Sequence, residues 1–369
     1  MRVLVTGGAG FIGSHLADRL LAAGHEVRAF DALDPQVHPD GPPAYLDGGV
    51  ELIIGDVRDA DALDRALVDV DAVVHLAAAV GVGQSMYEIR RYVDVNSVGC
   101  AVLLERLLEQ RDRIRRLVVA SSMSIYGEGQ YRDPATGESG LAPGLRPEAQ
   151  LAERRWELER DGSVLEPERT REDKPLLPTS VYAVTKRDHE ELCLAVGEAY
   201  DVPTAALRLF NVYGPRQALG NPYTGVAAIF GGRLINGHAP VAFEDGRQTR
   251  DFVHVTDVAR AFHLAVESDA AGLVTNVCTG HPASVVDIAR GLAAGLGTDI
   301  EPEVVGRYRA GDIRHCIGDP ARARDALGFA AEVELSEGLA DLAGWMAEQK
   351  AEDRVDQAMA ELRRRGLER

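Results

Sequence analysis

The segment Val3-Leu4-Val5-Thr6-Gly7-Gly8-Ala9-Gly10-Phe11-Ile12-Gly13 decides the fold of this 369-residue chain. A short apolar run stops at a cluster of glycines, and an apolar-periodic stretch, Ile12 to Ala23, follows and closes at Gly24. These read as a strand, a tight turn and a helix. Gly7, Gly10 and Gly13 allow a pyrophosphate to approach the backbone, and the helix start offers amide donors and a positive dipole end. A glycine pattern alone is weak, but the strand before it and the helix after it are the context it requires. Phe11 and Ile12, between the last two glycines, fall in the same expected dinucleotide site.

Working outward, Glu26 to Phe30, Leu52 to Ile54, Ala72 to Leu76, Leu117 to Ala120, Thr204 to Leu209 and Val274 to Val277 read as further strands. Helical patterns fill the intervals, notably Ala60 to Leu67 and Val93 to Glu109. Such alternation predicts an α/β fold with a doubly wound parallel sheet of Rossmann type. Continuous apolar strands such as Ala72-Val73-Val74 suit burial on both faces. Asp31 ends the second strand, 18 positions after Gly13 (31 − 13). A carboxylate there accepts from an adenosine ribose and repels a 2′-phosphate, so NAD is expected over NADP. Arg28 lies on the same strand, before its end. Asp56, after the third strand, is placed to contact the adenine amine or to cap the helix that begins near Asp59.

The second decisive stretch is Val181-Tyr182-Ala183-Val184-Thr185-Lys186. Residues at i and i+4 share a helix face, so the Lys186 ammonium is expected beside the Tyr182 phenol, favouring the phenolate. A phenol tuned in this way is a usable general base for a sugar or alcohol hydroxyl. Ser122, at the end of the fifth strand, is placed to hydrogen-bond the same oxygen.

Composition narrows the class. Lys plus Arg is 40 against 58 for Asp plus Glu, a net charge of −18, which argues against nucleic acid or an anionic membrane as partner. The four cysteines form no CxxC pair and the ten histidines no HExxH, so neither disulfide framework nor metal site is expected. No apolar stretch reaches membrane-spanning length and no signal peptide precedes the first strand, which points to the cytoplasm.

Residues 1–212 are expected to form the dinucleotide-binding domain, with 251–279 returning to it. Residues 213–250 and 280–335 are expected to form a smaller substrate domain, and 336–369 a helical tail with a solvated, charged end. From Glu128 to about Asp173 the chain turns polar and Pro/Gly-punctuated, separating Tyr126 from Tyr182 by 56 positions (182 − 126). So long a stretch reads as a flap inserted beside the active site, with a short helix at Glu148 to Leu158.

Together with Gly55-Asp56-Val57-Arg58-Asp59, His75-Leu76-Ala77-Ala78, Asn96, Ser121-Ser122-Met123-Ser124-Ile125-Tyr126-Gly127, Arg208-Leu209-Phe210-Asn211-Val212-Tyr213-Gly214-Pro215 and Arg250-Asp251-Phe252-Val253-His254, these motifs resemble the extended short-chain dehydrogenase/reductase family, in particular its nucleotide-sugar epimerases. The resemblance implies that Val57, Leu76, Ala77, Ala78, Asn96, Ser121, Phe210 and Val212 contact NAD, and that Lys186 binds the nicotinamide ribose. It implies that Asn211 lies near a substrate diphosphate clamped by Arg250 and Arg309, with Val82, Ser122, Ser124 and Val226 on the substrate. An arginine pair suits a diphosphate because the guanidinium donates in a planar fork.

Relatives that dehydrate sugars carry an Asp-Glu pair where Met123 and Ser124 stand, and decarboxylating relatives carry a Glu at Ser124. Uronic-acid epimerases present an arginine near Gly83. What remains resembles a 4-epimerase of nucleotide-diphospho sugars, nearest the dTDP-L-rhamnose branch, whose flap cysteines are missing here; the nearest alternative is a 4-ketosugar reductase or dehydrogenase. The resemblance also implies a homodimer through the helices Val93 to Glu109 and Lys186 to Tyr200, with Val95, Val98, Val102, Leu103, Leu192, Val196 and Ala199 at helical spacing.

Overall fold

Alternation along the first strand builds two cores at once. In the computed structural model, which describes residues 1–350 and 352–369, seven parallel strands lie in the order Leu273–Val277, Thr204–Leu209, Arg116–Ser122, Ala72–His75, Arg2–Thr6, Glu26–Asp31, Glu51–Ile54. Successive side chains of a strand point to opposite faces. Val3 and Val5 pack with Leu16, Leu20, Val258 and Phe262 from the helices Phe11–Ala22 and Val255–Glu267. Leu4, between them, packs on the other face with Leu63, Leu103, Leu107 and Cys193 from the helices Ala60–Leu67, Gly99–Leu108 and Val181–Ala199.

Strand order reverses between Arg2–Thr6 and its neighbour Ala72–His75, which pair Val3 to Ala72 and Thr6 to His75. Connections leave those two strands in opposite directions, so a crevice opens at their carboxyl ends. The glycine segment and Leu76–Ala78 border that crevice.

A second, mixed sheet runs Asn211–Tyr213, Thr249–His254, His315–Gly318, Glu166–Thr170, Gln130–Arg132, with Pro282–Ser284 antiparallel to Thr249–His254. Here the structure corrects the reading of 128–173. The insertion supplies two strands to this sheet, Gln130–Arg132 antiparallel to Glu166–Thr170 and the latter parallel to His315–Gly318. Its helix covers only Glu148–Ala152. Buried charge fixes it: Arg146 donates to both oxygens of Glu244 at 2.9 and 2.8 Å. Arg314, fully buried, reaches Glu244, Asp245 and Glu157 at 3.0, 2.7 and 2.5 Å.

A third core joins the helices Val226–Ile235, Val285–Gly295 and Leu335–Ala347 through Phe230, Ile288, Leu292, Leu339 and Met346. The tail expected to be helical carries two helices: Leu335–Ala347 is core, and Val355–Arg364 turns back across the crevice mouth. No helix among the described residues is long and apolar enough to cross a membrane.

Candidate active site

A cavity of about 970 Å³ occupies the crevice and extends between the two sheets. The glycines at its floor allow contacts that side chains would block. Gly7 takes a left-handed φ of 70°, and a Cβ there would stand 2.9 Å from the Ala77 amide nitrogen. A Cβ on Gly13 would stand 2.2 Å from the Gly7 carbonyl oxygen. The helix Phe11–Ala22 carries no side-chain cap and no acid in its first turn, so its amides and positive dipole end remain for an anion.

Asp31 is held in place from both sides. Its Oδ2 accepts from the Ala9 amide at 3.0 Å and its Oδ1 from Leu33 at 2.9 Å. Arg28 is turned away, donating to Glu51 and to the carbonyls of Ala66 and Val68, so it does not blunt the carboxylate. Asp56 lines the cavity but is engaged by Arg58 at 2.6 Å. The cap of the next helix is Asp59, which accepts from Ala62, and not Asp56.

Gly7, Gly10, Phe11, Ile12, Gly13, Val57, Leu76, Ala77, Ala78, Ser121, Phe210 and Val212 all line the cavity, as do Val82, Ser122, Ser124, Asn211, Val226, Arg250 and Arg309. Asn96 stands apart from these, outside the cavity lining. It sits fully buried on a π-helical stretch, Val93–Val98. Its amide accepts from Ala79 N at 2.7 Å and donates to Ala79 O at 3.1 Å and Thr185 Oγ1 at 2.9 Å. It pins the strip after His75 to the Tyr182 helix.

Ser180 starts the Val181–Ala199 helix by accepting from Ala183 N at 3.1 Å, and the Tyr182 amide donates to Ser85 Oγ at 3.0 Å. This fixes the phenol near the end of the fifth strand. Ser122 Oγ accepts from both the amide and the hydroxyl of Ser124, at 3.1 and 2.9 Å. Its own proton is therefore left for the Tyr182 oxygen.

The electrostatics differ from the expectation. Burial pushes the Tyr182 phenol up to about 12, and the pull downward comes from Ser122, not from Lys186. Burial also lowers Lys186 to about 8. The Lys186 ammonium donates to His189 Nδ1 at 3.2 Å, while His189 Nε2 donates to the Asn96 carbonyl at 2.9 Å. His189 was missed because nothing in a single-sequence motif marks the third residue after a lysine as its acceptor.

Arg250 and Arg309 converge, but around a carboxylate. Arg309 donates to Asp312 Oδ2 at 2.8 Å, and Arg250 lies 3.8 Å from Asp312 while donating to the carbonyls of Thr249, Ile313 and Arg314. Burial opposes the charge of Asp312, yet Arg309 and Arg250 hold it below its usual range. Two guanidiniums thus flank one carboxylate at this corner of the cavity.

The residues fit a bound dinucleotide and a second polar ligand. Ser121 Oγ and Asn211 Oδ1 are buried at the cavity wall without a hydrogen-bond partner among the described residues, and a buried polar atom ordinarily has one. With the glycine floor and the ribose-ready Asp31, the donor and acceptor set matches a nicotinamide adenine dinucleotide.

The model of the NAD dependent epimerase/dehydratase family matches residues 3–149 and 161–278. The chain belongs to this family. Across 353 residues it is 38% identical to a dTDP-L-rhamnose 4-epimerase of Burkholderia thailandensis, covering 94% of this chain and 95% of that one. It is 34% identical to a UDP-glucose 4-epimerase of Mycolicibacterium smegmatis, covering 92% and 96%. The crystal structure of a Thermus thermophilus UDP-glucose 4-epimerase in complex with NAD superposes with a TM-score of 0.76 at 31% identity, covering 95% of this chain and all of that one. Family members are NAD-dependent, and the Rossmann-like sheet with a second mixed sheet is the architecture that those epimerase structures share.

Proposed function

We propose that this chain is an NAD-dependent 4-epimerase of nucleotide-diphospho sugars, acting on a dTDP- or UDP-linked hexose or 6-deoxyhexose by transient oxidation at C4 and re-reduction on the opposite face. The observation that carries the reading is the Ser122–Ser124 pair beside Tyr182. Where a dehydration or decarboxylation would need a carboxylic acid, Met123 and Ser124 stand, and the Ser124 hydroxyl is spent on orienting Ser122.

Bound at the glycine floor, NAD supplies a hydride acceptor and, once reduced, a donor. The protein does the rest. Tyr182 takes the proton of the C4 hydroxyl and later returns it, with Ser122 holding both oxygens in line. Lys186 lies one helical turn on, where its ammonium can engage ribose hydroxyls and stabilise the phenolate. Arg250 and Arg309 hold the diphosphate, and Asn211 lies beside it. Asp31 favours the 2′-hydroxyl of NAD over a 2′-phosphate.

The same reading takes 1–212 with 251–279 as the cofactor half, places the protein in the cytoplasm and makes it a homodimer. Support for the dimer comes from Val93, Val98, Val184 and Leu192, which are exposed on neighbouring helices, whereas Leu103 is fully buried against the sheet and cannot contribute. Light scattering at micromolar concentration is expected to give twice the 39.7 kDa chain mass; the chain mass itself would refute the dimer. The activity is tested by incubating a panel of nucleotide sugars with enzyme and no added reductant. C4 epimers are expected by chromatography, while stoichiometric NADH release would instead show a dehydrogenase.

A further inference from the structure

The segment Val355–Arg369 has no part in the machinery above, yet it closes the cavity. Its helix turns Val355, Ala358, Met359 and Leu362 to the cavity, and Leu367 follows. Those four positions are one helix face, spaced three, four and seven residues from the first. Polar residues take the other side: Asp356 pairs with Arg233 at 2.8 Å, and Glu361 with Arg364 and Arg365.

The segment is anchored along its length. The Arg365 guanidinium lies 4.2 Å over the Tyr87 ring. Residues 367–369 pair with 308–310, through Ala310 N to Leu367 O and Tyr308 N to Arg369 O, both 2.9 Å. Buried Glu368 accepts from Arg307 and Arg363 at 2.8 Å each, and Arg369 pairs with Glu148 of the insertion. The last residues of the chain therefore hold the loop that carries Arg309.

Leu362 also has a defined place relative to the chemistry. A Cβ built on Gly83 would lie 3.5 Å from Leu362 Cδ2. Gly83 is two positions before Ser85, whose hydroxyl receives the Tyr182 amide. Leu362 thus lines the cavity beside the Gly81–Ser85 strip, whose Ser85 hydroxyl holds the first turn of the Tyr182 helix.

We propose that Leu362 is a specificity-determining residue, the contact point of an apolar wall by which the C-terminal segment selects a 6-deoxyhexose over a hexose or a uronic acid. Met359 and Leu367 complete that wall. Resting on the epimerase reading, the proposal adds which sugar that site takes. C6 is the carbon whose substituent projects beyond the ring. A methyl there meets Leu362 without loss, whereas a hydroxyl against apolar groups gives up its water hydrogen bonds, and a carboxylate gives up far more. A wall that buries the extra hydroxyl without a partner discriminates by roughly tenfold or more.

The test uses full-length, NAD-loaded enzyme and two matched pairs that differ by one hydroxyl at C6: dTDP-6-deoxyglucose with dTDP-glucose, and dTDP-L-rhamnose with dTDP-L-mannose. Binding is measured by calorimetry and turnover by chromatography, for wild type, Leu362→Ala and the volume-keeping Leu362→Met. The wild type is expected to favour the deoxy member of the pair it accepts by about tenfold or more. Leu362→Ala is expected to bring that ratio near unity, mainly through KM, with NAD affinity unchanged, and Leu362→Met to keep it. A wild type without preference, or a ratio unmoved in Leu362→Ala, overturns the proposal; if Leu362→Ala fails to bind NAD, a lost ratio in Leu362→Met does the same. Binding selectivity without any epimer formed would instead break the epimerase reading and leave the wall standing.

Discussion

The two halves of the molecule bury charge in opposite ways. In the second sheet, Arg146 is sealed against Glu244 and Arg314 among Glu244, Asp245 and Glu157, so that each guanidinium is paired with carboxylate. Beside the parallel sheet, Lys186 is just as buried, but its partner is the imidazole of His189, and no carboxylate closes on it among the described residues. Paired charge holds the insertion in place. The charge left unpaired is the one that a ligand is to meet, and burial lowers its pKa in consequence.

Four substitutions press on that contrast. Tyr182→Phe removes only the oxygen that moves the proton, and is expected to cut kcat by about a thousandfold while NAD binding persists. Near-normal turnover would remove Tyr182 from the mechanism and the need for a cation beside it. Arg314→Met strands Glu157, Glu244 and Asp245 around an apolar chain, which is expected to cost about 3–5 kcal/mol. Denaturant midpoints measure it, and a loss below about 1 kcal/mol would mean that the network is not what holds the insertion.

Lys186→Met should act in the opposite sense. Since the folded pKa is about 8 against an unfolded value of about 10.4, the buried ammonium destabilises the fold by about 3 kcal/mol below pH 8. Between pH 8 and about 10.4 the unfolded chain holds the extra proton, so wild-type stability rises with pH through that window. The variant is therefore expected to be more stable at pH 7, with its advantage vanishing by about pH 10.4 and its activity lost. An equal or lower stability at pH 7 would contradict the contrast. The smallest effect is expected from Asp31→Ala, which should narrow the preference for NAD over NADP by about tenfold. Equal affinity of the unaltered protein for both would sink the ribose argument.

The parallel sheet and its cofactor edge were legible because each signal is local. The run Val3–Thr6, its glycines and the helix after them lie within one unit, and Asp31 follows at a fixed distance. The insertion was not legible, because its structure rests on partners far apart in sequence. Arg146 and Glu244 are 98 positions apart, and Glu157 and Arg314 are 157 apart. Polar composition marks such a segment as loop, and only the fold brings its charges together.

The surroundings of Asn96 were not legible for a related reason. Its amide engages Ala79 and Thr185, partners that its position in the sequence does not announce. The Tyr182–Lys186 spacing correctly put both side chains at one cavity and misjudged which neighbour tunes the phenol. Helical spacing fixes faces, while tuning depends on burial and on Ser122. In the tail, the sequence announced helix with a charged end without saying what the apolar face of Val355, Ala358, Met359 and Leu362 would cover.

The central claim is that C4 is oxidised and reduced within one closed site. The most direct test is a nucleotide sugar carrying deuterium at C4, for example dTDP-[4-²H]-L-rhamnose, incubated with the NAD-loaded enzyme in ordinary water and no added cofactor. The account predicts that the C4 epimer forms with its deuterium retained and with no NADH in solution. Deuterium lost from the epimer to water, or accumulation of a ketone with free NADH, would contradict it.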